Sequence, residues 1–312
     1  MGLVFGPVYS RRLGVSLGVN NLPYKVCTYS CVYCQLGRTI KLTVERRRYS
    51  DPRRVLEEVG EALEGRGPVD YVTFVPDGEP TLDLSLGEAV RLLEAELGVR
   101  VAVLTNGSLL WLPEVRRGLL EASLVSVKVD AGSEAVWRRV DRPHPSLSWG
   151  RVRRGILEFS REYGGTLISE TMLVSGLNDG DGEIAETAAL AAEAGPRVAY
   201  VAIPHRPPAE AWVRPPPWER VEAAIEAMRR LGLDARPLHT PEPPPPPPPG
   251  VDPVEWVRDT VRVHPLPLDY VERLLAGRGR SLDEALGGGV VVVEYWGRRF
   301  LAYRPRPRGV GG

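Results

Sequence analysis

The residues with the most distinctive chemistry lie between Tyr24 and Arg38, in the run Tyr-Lys-Val-Cys-Thr-Tyr-Ser-Cys-Val-Tyr-Cys-Gln-Leu-Gly-Arg. This run holds all 3 cysteines of the 312-residue chain, Cys27, Cys31 and Cys34, spaced Cys-x3-Cys-x2-Cys with the aromatic Tyr33 directly before the third. A short loop with that spacing can wrap so that its thiolates converge on one metal cluster. Three ligands around a four-iron cube leave one iron without a protein ligand. A catalytic cluster needs such a vacancy, whereas an electron-transfer cluster usually has four protein ligands. The alternative, a zinc knuckle, asks for a fourth ligand. No further Cys or His lies near the loop, and the nearest histidine is His144. Clustered thiols also fit metal ligation in a reducing compartment better than disulfide pairing.

The elements that must position such a loop alternate between strand and helix. Leu13 to Val19 predicts a first strand, with the cysteine loop after it. Asp51 and Pro52 form an N-cap followed by Pro at the first helical position, and Val55, Leu56, Val59 and Leu63 give that helix one apolar face. Further strands are expected at Val69 to Val75, Val99 to Leu104, Leu124 to Val129, Leu167 to Val174 and Val198 to Ile203. Helical spacing marks Leu86 to Leu97, Pro113 to Leu120, Arg151 to Phe159, Ile184 to Ala194 and Trp218 to Leu231. Strands this apolar are buried on both faces, so the pattern predicts an α/β fold, a partial (β/α)6 TIM-like barrel of parallel strands. Its active face lies at the carboxyl ends of the strands. Asp77-Gly78-Glu79 follows strand two, Thr105-Asn106-Gly107 strand three, Lys128 and Asp130 end strand four, and Glu170 and Met172 lie on strand five. His205 and Arg206 follow strand six, so one ring of loops surrounds one bound cofactor.

The cysteine loop resembles the signature of the radical S-adenosylmethionine (radical SAM) superfamily, whose [4Fe-4S] cluster binds the amino and carboxylate groups of SAM at its unique iron. Within it, the chain resembles a group of archaeal and bacterial Fe-S oxidoreductases related to the wyosine-type tRNA synthetases. The matching stretches are Phe5 to Gly14, Cys27 to Arg38, Gly78 to Leu82, Thr105 to Leu109, Arg142-Pro-His-Pro145, Gly176 to Asp179 and Arg206 to Glu210. The resemblance implies a [4Fe-4S] cluster held by Cys27, Cys31 and Cys34, with SAM as second cofactor. It places Tyr33, Gly78, Glu79, Asn106, Lys128 and Asp130 around that cofactor. Gly78-Glu79 stands where the family holds the SAM ammonium, with Asp77 where many relatives carry a small residue. Ser126 to Asp130 resembles the segment that contacts the SAM carboxylate and ribose. Lys128 would face the carboxylate and Asp130 the hydroxyls, unless the two form a salt bridge with each other. Asn106 is either a cofactor contact or a turn residue. The implied reaction is reductive cleavage of SAM to a 5′-deoxyadenosyl radical that abstracts hydrogen, fed by a low-potential donor such as ferredoxin or flavodoxin. With only 3 cysteines, no second cysteine-ligated cluster is expected.

His144 and His205 each have the side chain for acid or base chemistry near neutral pH, although histidine in a Pro-rich loop is more often an exposed or packing residue. His205, Arg206 and Glu210 emerge above the last strand and are the candidates for recognising substrate. Arg11 and Arg12 either touch a phosphate or carboxylate or are surface charges.

Four segments are expected: a barrel over 1–240, a stiff polyproline linker over 241–250, a winged-helix-like domain over 251–305 and a flexible tail over 306–312. Three short helices, at Pro253 to Val263, Pro267 to Leu275 and Ser281 to Leu286, precede a hairpin of Val290 to Tyr295 with Arg298 to Tyr303. Arg298, Arg299, Arg304, Arg306 and Arg308 could meet nucleic-acid phosphates; alternatively this domain only packs on the barrel or forms a dimer. Forty basic and 40 acidic residues cancel, so no global field argues for nucleic acid. No apolar run is long enough to span a bilayer, and a cytoplasmic location without a membrane partner is expected. RNA is the favoured substrate, with a protein side chain or small metabolite left open. The contrasting possibility is a non-enzymatic iron-sulfur redox sensor whose winged helix binds DNA.

Overall fold

A computed structural model of the protein describes residues 2–66, 69–238, 247 and 250–304. The strands are β1 (Val4–Ser10), β2 (Gly14–Val19), the short pair β3 (Val26–Cys27) and β4 (Lys41–Leu42), then β5 (Tyr71–Phe74), β6 (Val101–Thr105), β7 (Leu124–Lys128), β8 (Thr166–Met172), β9 (Val198–Ala202) and β10 (Ala235–Leu238). The helices around them are α1 (Pro52–Arg66), α2 (Leu86–Leu97), α3 (Pro113–Leu119), α4 (Glu134–Val140), α5 (Trp149–Glu162), α6 (Asp181–Ala194) and α7 (Trp218–Arg230). One sheet of 8 strands runs in the order β1-β2-β5-β6-β7-β8-β9-β10. Every neighbouring pair from β2 to β10 is parallel, and β1 alone runs antiparallel, beside β2.

The six strands expected from sequence are β2 and β5 to β9. The sheet gains β1 and β10 at its two edges. Both contain a proline, Pro7 and Pro237, which removes a ladder donor and is confined to edge strands, so neither reads as a strand from pattern alone. Helix α4 was also absent from the expectation, because its 7 residues span less than two helical turns of apolar spacing. The hairpin of β1 and β2 closes tightly because Phe5 lies over Gly18, where a Cβ would fall 2.1 Å from the Phe5 ring. Leu17, Val19, Val72, Phe74, Val101, Val103, Val125 and Val201 are fully or almost fully buried in the same core as Val55, Val59 and Leu93 of the helices. A separate small cluster containing Ala102, Leu124, Ile168 and Val198 fills the space near the amino ends of the strands. Burying a Val or Leu is worth about 1.5–3 kcal/mol, so this doubly covered sheet is a rigid base for the loops above it.

The C-terminal unit is built from α8 (Pro253–Val263), β11 (Leu266–Pro267), α9 (Leu268–Ala276), α10 (Leu282–Ala285), β12 (Val290–Tyr295) and β13 (Arg298–Tyr303). The expected helices and hairpin are therefore present, with β11 added to give a three-stranded antiparallel sheet. Asp252 caps α8 by accepting from Val254 N and Glu255 N, and Ser281 with Glu284 forms a capping box on α10. The unit has its own core around Val257, Leu266, Val271 and Leu301. It docks beside the cysteine loop: Gln35 Nε2 donates to Val263 O at 2.8 Å, Arg304 Nη1 to Gln35 O at 2.9 Å and Tyr295 Oη to Pro204 O at 2.8 Å. The Tyr24 and Tyr303 rings meet edge to face at 5.2 Å. Packing on the sheet domain, one of the two roles weighed for this unit, is thus present. The polyproline linker lies almost wholly, and the tail wholly, outside the described residues. Among the described residues no helix is long and apolar enough to cross a membrane.

Candidate functional site

The cysteine loop is pinned at both ends and at its middle. Strands β3 and β4 pair in parallel, with Cys27 opposite Leu42, so the segment between them forms a closed loop. Within it, Cys34 N donates to Cys31 O at 3.1 Å and Gly37 N to Cys34 O at 3.0 Å, and Gly37 takes the left-handed backbone (φ 88°) that lets the chain turn back. Val32 N donates to Val140 O, and Val32 O accepts from Glu210 N at 3.1 Å. The Glu210 carboxylate then grips Arg38 with both oxygens, at 2.8 and 2.7 Å, and also takes Arg142. Hydrogen bonds from Arg38 first, then from Arg142, hold the Glu210 acid below its usual range. Glu210, a residue expected to recognise substrate, latches the cysteine loop to the segments after α4 and β9.

A buried cation stands beside the thiols. Lys25, only 2% exposed, donates from Nζ to Cys34 Sγ at 3.1 Å. Burial alone would lower its ammonium; the neighbouring sulfurs of Cys34, Cys27 and Cys31 outweigh that and raise it. Burial pushes the Cys27 thiol up to about 12, against the pull of Lys25. Burial, then Asp141, then the other two sulfurs push Cys31 well above the usual thiol range. Metal binding to these sulfurs must therefore displace protons, and Lys25 offsets part of the thiolate charge that appears. Three cysteine sulfurs in one short loop are the donors that iron-sulfur clusters take, so the chemistry of the donor set fits a cluster.

The loops after β5, β6 and β7 form the wall beside these sulfurs. Gly78 packs against the cysteine strand so closely that a Cβ there would lie 1.7 Å from Val26 O. Glu79 is 1% exposed: its Oε1 accepts from Thr81 N, Thr81 Oγ1 and Thr105 Oγ1, and its Oε2 from Asn106 N at 2.7 Å. Burial still raises its acid, in spite of those donors. Asn106 donates from Nδ2 to Thr28 Oγ1 at 2.8 Å and sits 3.8 Å from Cys27 Sγ. It accepts at Oδ1 from Ser108 N, so it is a turn residue and a neighbour of the first cysteine at once.

Tyr33 donates its hydroxyl to Asp130 Oδ2, and Asp130 Oδ1 accepts from Met172 N at 2.6 Å. Asp141 lies beside them, 3.4 Å from Cys31 Sγ; burial and the Asp130 charge push its carboxyl well above the usual range. The alternative of a Lys128–Asp130 salt bridge is not what forms. Lys128 pairs with its register partner Glu170 on β8 at 2.6 Å, with its ammonium 5.1 Å from the Tyr33 ring centre, and Glu170 also pairs with Arg12. Asn106, Lys128, Asp130 and Asp141 line one narrow cavity together with Tyr29 and Trp137.

His205 and Arg206 lie at the edge of this face, against the C-terminal unit: Arg206 Nη2 is 2.7 Å from His264 Nε2. Burial and the charges of Arg206 and Arg11 lower His205 to about 3, so it is neutral near pH 7 and is not a cationic acid there. His144 bonds its own Ser146 and contributes to the site only through its backbone N–H, donated to Thr28 O at 2.8 Å. Sequence reasoning missed Lys25, Thr28, Asp141 and His264. Lys25 was within reach of it, standing two residues before Cys27; Asp141 was not, being 110 residues from the cysteine it touches.

Comparison with known proteins agrees with this geometry. Residues 21–191 match the model of the Radical SAM superfamily. A UPF0026 protein of Methanocaldococcus jannaschii is 42% identical over 307 residues, covering 96% of this chain and 95% of the relative. Among solved structures, a radical SAM methyltransferase from Sphaerobacter thermophilus superposes with a TM-score of 0.56 at 20% identity, covering 73% of this chain and 67% of that one. TYW1 with a lysine-pyruvate adduct bound superposes with a TM-score of 0.50 at 15% identity, covering 69% and 73%. At such identities the two structures show a shared fold. Enzymes of the superfamily use a [4Fe-4S] cluster and S-adenosylmethionine, and they need an electron donor. With its model matched across more than half of the sequence and a near-full-length relative at 42% identity, this chain belongs to the radical SAM superfamily.

Proposed function

We propose that this protein binds a [4Fe-4S] cluster through Cys27, Cys31 and Cys34 and uses it to cleave S-adenosylmethionine. When bound and reduced by an external low-potential donor such as ferredoxin or flavodoxin, these cofactors supply a 5′-deoxyadenosyl radical that abstracts hydrogen from substrate. The observation that carries the reading is the cysteine loop itself, with Lys25 Nζ 3.1 Å from Cys34 Sγ, Asn106 Nδ2 3.8 Å from Cys27 Sγ and Asp141 3.4 Å from Cys31 Sγ.

The chain's own residues divide the remaining work. Lys25 balances thiolate charge at Cys34. Gly78 lets the loop after β5 lie against the cysteine strand. Glu79 ties that loop to Thr105 and Asn106, and its Oε2, which accepts from Asn106 N, has a second lone pair for a cofactor ammonium. Asp130, oriented by Tyr33 and Met172 N, is the acceptor for ribose hydroxyls, and Lys128 is the cation for a carboxylate. Both are already partnered, so cofactor binding competes with the Tyr33–Asp130 and Lys128–Glu170 contacts and widens the narrow cavity between them.

The C-terminal unit has the helix and hairpin order of a winged helix. Its tip carries Trp296, 61% exposed, beside exposed Arg298 and Arg299, a pairing of stacking surface and cations that suits single-stranded RNA. RNA is therefore the favoured substrate class. The test is anaerobic reconstitution followed by reduction with SAM present: wild-type protein should release 5′-deoxyadenosine, and Cys31→Ala should lose both the brown chromophore and that product. Product formation by Cys31→Ala would overturn the ligand assignment.

A further inference from the structure

Among the described residues, Ile40 is the most exposed of the large apolar side chains, at 68%, and it stands directly after the cysteine loop. Lys41 and Leu42 follow it and are exposed as well, Leu42 at 36%. Neither Ile40 nor Leu42 belongs to a core cluster, so packing does not account for their apolarity. Their backbone, by contrast, is fixed: the amides of Ile40 and Lys41 both donate to Lys25 O, at 3.1 and 3.0 Å. Leu42 is the register partner of Cys27, and Thr43 N donates to Cys27 O at 3.0 Å. Neighbouring strands lie about 4.8 Å apart, so an exposed residue sits one strand spacing from a cysteine of the loop.

The side chains around this pair carry positive charge. Arg38 and Arg142 share the single carboxylate of Glu210, which leaves one net positive charge. The Glu210 side chain is 6% exposed and those of Arg38 and Arg142 are 72% and 40% exposed, so it is the guanidinium groups that face solvent. Lys41 adds a second exposed cation. Glu45 is the first acidic residue of the chain, and Arg47 takes its carboxylate at 2.7 Å. Since the whole chain has no net charge, this excess is local. The opposite flank of the loop is covered, because Gln35 is held by Val263 O and Arg304 of the C-terminal unit. The flank from Arg38 to Leu42 is left open.

We propose that Arg38, Ile40, Lys41, Leu42 and Arg142 form the docking patch for an acidic, low-potential electron-carrier protein. Electron tunnelling falls off steeply with distance, so a carrier has to touch the protein close to a cluster ligand, and Leu42 opposite Cys27 gives that closeness. Ile40 and Leu42 supply the dry contact, while the three cations steer an acidic partner onto it. Electron-transfer encounters bury little surface, so a patch of this size is enough. One electron leaves the carrier, which is oxidised, and reduces the cluster; no bond forms or breaks. The assignment rests on the enzymatic reading above, which supplies the need for a donor.

The test mixes reconstituted wild-type protein, without SAM, with flavodoxin hydroquinone and separately with a reduced [2Fe-2S] ferredoxin, and follows oxidation of the carrier by stopped-flow absorbance. Titration calorimetry with the same carriers reads binding. Lys41→Glu and Ile40→Asp are measured alongside; both side chains are exposed, so both variants keep the core intact. At least one carrier should reduce the wild-type protein at a rate that falls with salt. That rate constant and the affinity should drop at least ~10-fold in each variant, while reduction by dithionite, a small reductant that needs no docking, stays unchanged. No reduction by either carrier, or wild-type rates in both variants, overturns the proposal. An equal loss with dithionite overturns it too, because the effect then lies in the loop itself. Binding of a fluorescein-labelled single-stranded RNA decamer that both substitutions abolish, with carrier kinetics unaffected, gives the patch to substrate and also overturns it. Release of 5′-deoxyadenosine with SAM and dithionite tests the enzymatic reading separately. Cleavage with unaltered carrier kinetics in the variants removes the docking patch alone, and docking without cleavage removes the enzymatic reading alone.

Discussion

Gly78 shows how a residue that looks like a cofactor contact can owe its identity to packing. Its missing side chain lets the loop after β5 touch the backbone of the cysteine strand, where Val26 O also accepts from Glu79 N at 3.3 Å. A methyl group there would overlap the carbonyl oxygen, and backbone cannot yield as a flexible side chain can. Gly78→Ala should therefore cost about 3 kcal/mol or more and move Cys27. The check is iron bound per chain after reconstitution, together with the thermal midpoint. Normal iron content in a fully stable variant would show that the close approach does not matter. The same residue scale explains what could be read directly from sequence. Cysteine spacing is a local property and was legible, whereas Asp141 and Glu210 act through contacts that only the folded chain creates.

Among elements, the cysteine loop stands out because it depends on a latch outside itself. Glu210, in the segment after β9, holds Arg38 of the loop and Arg142 of the turn after α4. The Arg38 side chain is 72% exposed, so this ion pair is worth at most about 1 kcal/mol, but the bidentate geometry and the second arginine raise the total. Glu210→Ala should open the loop about 5–30-fold more often, the equivalent of about 1–2 kcal/mol. Hydrogen exchange at the Cys34 and Gly37 amides measures it directly. Unchanged protection would mean that β3–β4 pairing alone holds the loop. The strands and helices were legible to different degrees for physical reasons. Beta-branched runs such as Val101 to Thr105 and the Trp296-Gly297 turn announced themselves. The edge strands β1 and β10 did not, because proline hides an edge strand and only the neighbouring strand completes it.

For the whole molecule, the consequence of the fold is that the C-terminal unit is seated on the active face through Gln35, Pro204 and Arg206. Two histidines are held neutral in that seam. Burial and neighbouring arginines lower His205 to about 3 and push His264 well below its usual value. For a depressed histidine the stabilising contribution is complete above the unfolded value of about 6.5 and is lost as pH falls from there toward 3. The thermal midpoint should accordingly drop between pH 6.5 and 4, and His205→Gln should flatten that drop. A midpoint that stays constant over the range would contradict the seam's electrostatics. The docked unit itself was expected from sequence, but its seat beside the cysteines was not. Nothing in local pattern links His264 to Arg206, 58 residues away.

The central claim is that Cys27, Cys31 and Cys34 hold one [4Fe-4S] cube and leave a single corner for S-adenosylmethionine. Electron-nuclear double resonance of the reduced protein, with SAM labelled with oxygen-17 in its carboxylate or nitrogen-15 in its amino group, reads that corner directly. The account predicts hyperfine coupling from both labels to a cluster that still has its three cysteine ligands. A loaded, reduced cluster that shows no coupling to either label, or a fourth ligand from the protein, would contradict it.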